Sequence, residues 1–344
     1  MSTPHYISVT VLCSFLGLAG FVLMDKKKDL DESHEKIKGI SLVAPAGRIS
    51  SDAMVPLKRI NSEWVCVLPY AFAKKEGLEI IDDHPRQWWG ETTSGIASTI
   101  QHAQDHDLKV LVKPHLWMSD GSYTGHFRLT LDQNWEIWEK NYRKYILTYA
   151  RIADSMEVEM FCVGNELKIF VAERPQFFSD LVDSIRTFYQ GKLVYGSNWD
   201  DYQTVPFWGK LDYIGINAYF PLVDSETPKV DELILKWAPI KKDIHKCFKK
   251  NWRPIIFTEF GYRSINHTAD RPWESYGHSK VNLEAQKNAY LALLTSFWGE
   301  SWFQGGFAWS WFMQHDAAGG EKDIDYTPQN KPAEEVLKYW FEEK

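Results

Sequence analysis

From residue 39 onward the chain repeats one pattern: a short, nearly continuous apolar run, a polar loop, then a stretch with apolar residues three and four apart. The runs are 40–45 (ISLVAP), 64–70 (WVCVLPY), 110–116 (VLVKPHL), 160–167 (MFCVGNEL), 193–199 (LVYGSNW), 213–219 (YIGINAY), 255–262 (IIFTEFGY) and 307–312 (FAWSWF). Each is rich in Val, Ile, Phe or Tyr, and Gly, Pro or Asn bounds it. Unbroken apolarity, rather than alternation, suits a parallel strand buried on both faces. The stretches 94–106, 134–154, 175–190, 230–250, 283–299 and 332–341 read as amphipathic helices. In 134–154, Trp135, Trp138, Tyr142, Tyr145, Ile146, Tyr149 and Ile152 share one face. Pro175 and Pro332 suit first-turn positions. Between the fifth and sixth runs there is too little chain for a full helix, so that unit should be degenerate.

Eight strands alternating with helices predict an α/β fold, a single (β/α)8 TIM barrel over residues 39–344, whose usual size is roughly 250 residues or more. A doubly wound sheet would normally have fewer strands and a Gly-rich loop after the first, and the sequence has none there. Ahead of the barrel, residues 6–24 carry no charge, while 25–38 are charged and lack aromatics. Residues 1–24 therefore read as an apolar leader, a signal peptide or membrane anchor, and 25–38 as a linker. Lys26, Lys27 and Lys28 follow the apolar run, the reverse of a simple export signal. An exported or membrane-anchored location is expected, with any membrane attachment through residues 6–24.

Composition narrows the chemistry. Lys and Arg number 39 against 46 Asp and Glu, a net charge of −7, and no basic stripe could track a phosphate backbone. Nucleic acid is not an expected partner. Four cysteines without a C-x-x-C or Cys/His pattern give neither a disulfide framework nor structural zinc. No G-x-S-x-G, P-loop or H-E-x-x-H motif occurs. A monomer without cofactor or metal is expected. The unusual count is 16 Trp, well above what an ordinary core needs, and indoles left at a surface suit stacking on ligand rings.

In such a barrel the loops after the strands form the mouth, and chemistry gathers there. The third run ends in Lys113-Pro114-His115 with Trp117 beyond, the fourth in Asn165-Glu166, and the fifth in Asn198-Trp199. The sixth ends in Asn217-Ala218-Tyr219 and the seventh in Thr258-Glu259, while the eighth carries Trp309. Either glutamate alone could be a buried carboxylate paired with Arg or Lys. Two at one mouth are harder to explain that way, because an unpaired buried carboxylate is costly. Glycoside hydrolysis needs this pair, one carboxyl to protonate the leaving oxygen and one to act at the anomeric carbon.

At Asn165-Glu166 and Glu259 the chain resembles the clan A glycoside hydrolases, and within them glycoside hydrolase family 113, the β-mannanases and β-1,4-mannosidases. The segments that carry the resemblance are FCVGNEL (161–167), IIFTEFGYRS (255–264), WWGE (88–91) and DYTPQNKPAEEVL (325–337). Asn330 departs from it, standing where glycine is expected. The resemblance implies a retaining enzyme for β-1,4-linked mannose, with Glu166 as acid/base and Glu259 as nucleophile. It implies that Asn165 bonds the sugar 2-hydroxyl, Tyr219 orients Glu259 and Trp309 is the platform at the cleavage point. His115, Lys113, Trp117, Trp89 and Asn198 would line neighbouring subsites, although barrel packing would also account for Trp89 and Trp117, and a supporting hydrogen bond for His115. Two readings stay open beside it: another clan A specificity such as a β-glucanase, and a non-catalytic carbohydrate-binding barrel, which would have no use for both glutamates.

Overall fold

The computed structural model describes residues 35–75, 77–275 and 280–342, so the apolar leader lies outside the described residues. Among the described residues no helix is long and apolar enough to cross a membrane. Eight strands close a barrel: β1 Ile37–Leu42, β2 Trp64–Val67, β3 Lys109–Val112, β4 Met160–Asn165, β5 Lys192–Asn198, β6 Ile214–Asn217, β7 Ile255–Phe260 and β8 Phe303–Trp311. Every pairing is parallel, and β8 returns to β1. Around it lie α1 Val55–Arg59, α2 Thr93–Gln104, α3 Asp132–Ser155, α4 Lys168–Glu173, α5 Pro175–Arg186, α6 Val230–Asn251, α7 Leu283–Phe297 and α8 Pro332–Glu342. Between β5 and β6 there is only a 3-10 turn at Trp208–Lys210, the degenerate unit that the spacing predicts.

Two apolar layers explain why the runs are continuous. Cys66, Leu111, Met160, Cys162, Val194, Ile256 and Phe307 pack inside the barrel. Their neighbours Val65, Val110, Phe161, Leu193, Ile255 and Ala308 point out to the helices. Both faces are dry, so neither can carry the polar half of an alternating pattern. At Gly39 a Cβ would meet the Phe307 ring at 2.4 Å, which is why this inner position has no side chain.

Three boundaries differ from the sequence reading. The first strand begins at Ile37, three residues ahead of the first apolar run, because the lysines in and before it are satisfied. Lys38 bonds Glu63 at 2.8 Å, and Lys36 caps the carbonyl of Glu300 at the same distance. The second and third runs each divide at a proline, Pro69 and Pro114. Proline has no N–H to continue a ladder. The segments beyond, Tyr70–Ala73 and His115–Met118, leave the barrel and pair with each other and with Ile80–Ile81 as a small sheet at the rim. Asn330, at the position where glycine was expected, holds a left-handed φ of 55°, which asparagine tolerates among non-glycine residues. Its Nδ2 donates to the carbonyls of His315 at 2.8 Å and Ala318 at 2.9 Å, tying α8 to the loop after β8.

Candidate active site

Local irregularities aim the functional side chains. Strict alternation from Ile256, which points inward, would send Glu259 out toward the helices. The register of β7 shifts between Phe257 and Glu259, so Thr258 and Glu259 both turn to the interior. A second shift between Cys162 and Asn165 re-aims the end of β4. Bulges of this kind are a common way to redirect a side chain beside a site. Glu166 then takes a φ of +53°, a left-handed conformation unfavourable for a side chain of its size. It is held there by its N–H bonding Gly196 O at 2.8 Å and by Leu167 N–H bonding the Tyr195 hydroxyl at 2.8 Å. Gly196 has to be glycine for the same geometry, since a Cβ there would lie 2.5 Å from Asn165 Oδ1.

The two carboxyls meet through Asn217 at the end of β6. Its Nδ2 donates to Glu166 Oε1 at 2.8 Å, Glu259 Oε1 at 3.2 Å and Asn165 Oδ1 at 3.0 Å. Its Oδ1 accepts from Thr258 at 2.8 Å and Lys113 at 3.1 Å, which fixes the amide orientation. Two oxygens that share one donor can be no further apart than the two bonds laid end to end, 6.0 Å here. Glu259 also accepts from Lys113 Nζ at 2.5 Å and from the Tyr219 hydroxyl at 2.9 Å. Asn165 spends its Oδ1 on Asn217 and leaves its Nδ2 as a donor.

Electrostatics separates the two acids. Burial, and then the charge of Glu259, pushes Glu166 up to about 7, against the smaller pull of the Asn217 bond and the Lys113 charge. Burial, the largest single influence, works to lower Lys113, but the Glu259 charge, the neighbouring Cys66 and Cys162 and the hydrogen bond to Glu259 together outweigh it, so the ammonium is raised. Burial, then Lys113, drives His115 well below its ordinary value. The imidazole is therefore neutral, and its 3.6 Å approach to Glu259 Oε1 is not an ion pair.

These groups open into a cleft of about 1040 Å³. The model of Glycoside Hydrolase Family 113 matches residues 46–331. The chain belongs to this family. A solved family 113 β-1,4-mannanase is 24% identical, covering 90% of this chain and 100% of its own, with a TM-score of 0.79. The family 113 β-mannanase of Alicyclobacillus acidocaldarius, solved in complex with ManMIm, is 25% identical over 91% of this chain and 98% of its own, TM-score 0.78. A Ruminococcus gnavus β-glucuronidase, 14% identical over 90% of this chain and 50% of its own, shares the fold at TM-score 0.59. No curated protein matches the chain.

In this family 113 hydrolase, Glu166, Glu259, Asn165, Tyr219, Trp309, His115, Trp117 and Asn198 all line the one cleft. Trp309 lies parallel to His115, ring centroids 5.9 Å apart. Two expectations need correction. Lys113 is fully buried beneath the cleft and meets Glu259 rather than a subsite, because it continues the inward column of β3 above Leu111. Trp89 does not line the cleft either. Its turn is bound to the first loop, with Gly90 N–H on Pro45 O at 2.8 Å, and its ring faces the Arg48 guanidinium at 5.7 Å. The sequence reading placed Asn217 and Trp199 at the mouth without giving them a role, and passed over Tyr70, Tyr123, Trp273 and Tyr326. Asn217 ends a strand next to Tyr219 and was findable by that rule, whereas Tyr123 and Trp273 sit inside long loops with no local signal.

Proposed function

We propose that this family 113 hydrolase cleaves β-1,4-linked mannose in mannan or manno-oligosaccharides with retention of configuration, using Glu166 as acid/base and Glu259 as nucleophile. The observation that carries the reading is one amide donor bridging two unequal carboxyls. The shared donor holds their near oxygens within 6.0 Å of each other, and of the two classes it is the retaining enzymes whose carboxyl groups lie close, roughly 5–5.5 Å apart against roughly 6.5–9.5 Å in inverting ones. In the first step a Glu259 oxygen bonds to the anomeric carbon, the glycosidic C–O bond breaks, and the Glu166 proton goes to the leaving oxygen. In the second step Glu166 takes a proton from water, whose oxygen attacks the anomeric carbon and releases Glu259. A proton held to about pH 7 suits the first role, and the Lys113 and Tyr219 bonds suit a carboxylate that must stay charged.

The substrate is carried by the solved family 113 relatives, which are β-mannanases, and by Asn165 Nδ2, a donor left free for a 2-hydroxyl. A site that bonds the axial 2-hydroxyl of mannose loses that pairing when the group is equatorial. The test is a product profile on manno-oligosaccharides of several lengths, with cello-oligosaccharides as control and the anomer of the first product read by NMR. β-Anomeric mannose products are expected. Equal turnover of glucose oligomers would remove the mannan assignment, and α-anomeric products would remove the retaining mechanism.

A further inference from the structure

Beyond Glu166 the cleft holds a second aromatic platform. The indoles of Trp199, at the end of β5, and Trp273, in the loop after β7, lie 5.2 Å apart and 21° from parallel. Trp199 is backed by Phe220 at 5.9 Å, and Phe220 by Trp237 of α6 at 5.5 Å. Trp273 therefore rests one face on a fixed stack, yet it is 41% exposed and lines the cleft. A large indole held rigid on one side and open on the other is suited to a ring-shaped ligand.

A second observation points the same way. Tyr123 lines the cleft, and its hydroxyl is buried and has no hydrogen-bond partner among the described residues. Burial first, then the charges of Glu166, Asp201 and Asp200, raises it, so it remains a protonated donor. Buried donors are nearly always satisfied, and one left open at a cleft wall is satisfied by what binds there. Among the described residues the charged ones lining the cleft are Glu166, Asp200, Glu259 and Glu274, without a lysine or arginine to receive an anionic sugar. Asp200 is occupied by Lys168 at 2.6 Å and Glu274 by Arg271 at 2.7 Å. The ring that fits is neutral. Trp199, which backs the platform, follows β5, three strands around the barrel from Trp309 on β8.

We propose that Trp273, backed by Trp199, and Tyr123 form the binding site for the leaving-group sugar, a neutral pyranose on the Glu166 side of the scissile bond. The proposal rests on the function proposed above, since an acid at Glu166 defines which side leaves. Wild type, Trp273→Ala, Trp273→Phe and Tyr123→Phe are compared on manno- and cello-oligosaccharides, with melting temperature and the partition of the glycosyl-enzyme between an added mannose-oligomer acceptor and water. Trp273→Ala should lower kcat/KM about tenfold and cut the transferred fraction similarly, while Trp273→Phe stays within about threefold. Tyr123→Phe removes a hydroxyl without a protein partner, so its melting temperature should hold while kcat/KM falls about fivefold. A merely structural loss would slow transfer and hydrolysis alike and leave the partition unchanged. An unchanged partition in Trp273→Ala, or unchanged kcat/KM in Tyr123→Phe, overturns the site alone. A wild type inactive on every oligosaccharide overturns the functional reading and the site with it.

Discussion

Glu166 and Glu259 are the same residue type at two strand ends of one barrel, and their surroundings differ in each feature that decides where a proton sits. Glu259 faces a fully buried ammonium at 2.5 Å, a phenol at 2.9 Å and the shared amide at 3.2 Å. Around Glu166 the shared amide at 2.8 Å is the direct side-chain donor, and burial with the charge of its partner raises it to about 7. The barrel supplies a cation to one carboxyl and withholds it from the other. The contrast between the two acids therefore follows from neighbours at the ends of β3 and β6 rather than from the acids themselves.

The sharpest way to break that comparison is to neutralise the charged side. Glu259→Gln should lower turnover by about 10⁴-fold or more on every substrate, activated or not, because the carboxylate proposed to form the covalent bond is then gone. Rates within a hundredfold of wild type would place the nucleophile elsewhere. Glu166→Gln should behave differently by substrate. Oligosaccharides, whose leaving oxygen needs a proton, should slow by about 10³-fold. A dinitrophenyl mannoside should still react in the first step and release a burst of phenol, and azide should restore the second. No burst and no azide rescue would sink the acid/base assignment.

Much of this arrangement was legible in the sequence, and the illegible parts have physical causes. The eight runs are visible because both faces of each strand are dry, and the degenerate fifth unit is visible from chain length alone. Pro69 and Pro114 split two runs into barrel strand and rim strand, and apolarity continues across both breaks. Glu166 and Glu259 stand out as acids ending apolar runs. Which way they point depends on register shifts in β4 and β7, which are tertiary features without a sequence mark. Lys113 looked like a subsite residue because it follows an apolar run. Its partner is 146 residues away, and only barrel closure brings the two together. Trp89 was expected beside a subsite because indoles suit sugar rings, whereas here its ring faces the Arg48 guanidinium.

The comparison can be sharpened from the cation. Lys113→Met leaves Glu259 buried without its counter-charge, and removal of one partner of a buried pair costs about 3–5 kcal/mol. Denaturant unfolding should show a loss of that order, accompanied by a fall in kcat. Adding Glu259→Gln to Lys113→Met should recover part of the stability, since the stranded charge is then gone. A double variant no more stable than Lys113→Met would mean that the pair does not couple.

The smallest effect lies on the other acid. Glu166 is raised from 4.5 to about 7 in the folded protein, chiefly by burial and then by Glu259. Between those values the folded protein holds a proton that the unfolded chain has released. The stability tied to this group is therefore full below about pH 4.5 and declines as pH rises to about 7. His115, lowered by burial and then by Lys113, slopes the opposite way, losing stability as pH falls below 6.5. Both slopes are present in the wild type, but Glu166→Gln keeps only that of His115. The melting-temperature difference, variant minus wild type, should thus cancel His115 and grow with pH across the window, by roughly 3 °C for a domain of this size. Growth in that direction is the signature of a carboxyl kept protonated by its surroundings. A flat difference would mean that Glu166 ionises like an exposed acid, and the contrast with Glu259 would have to be sought in geometry alone.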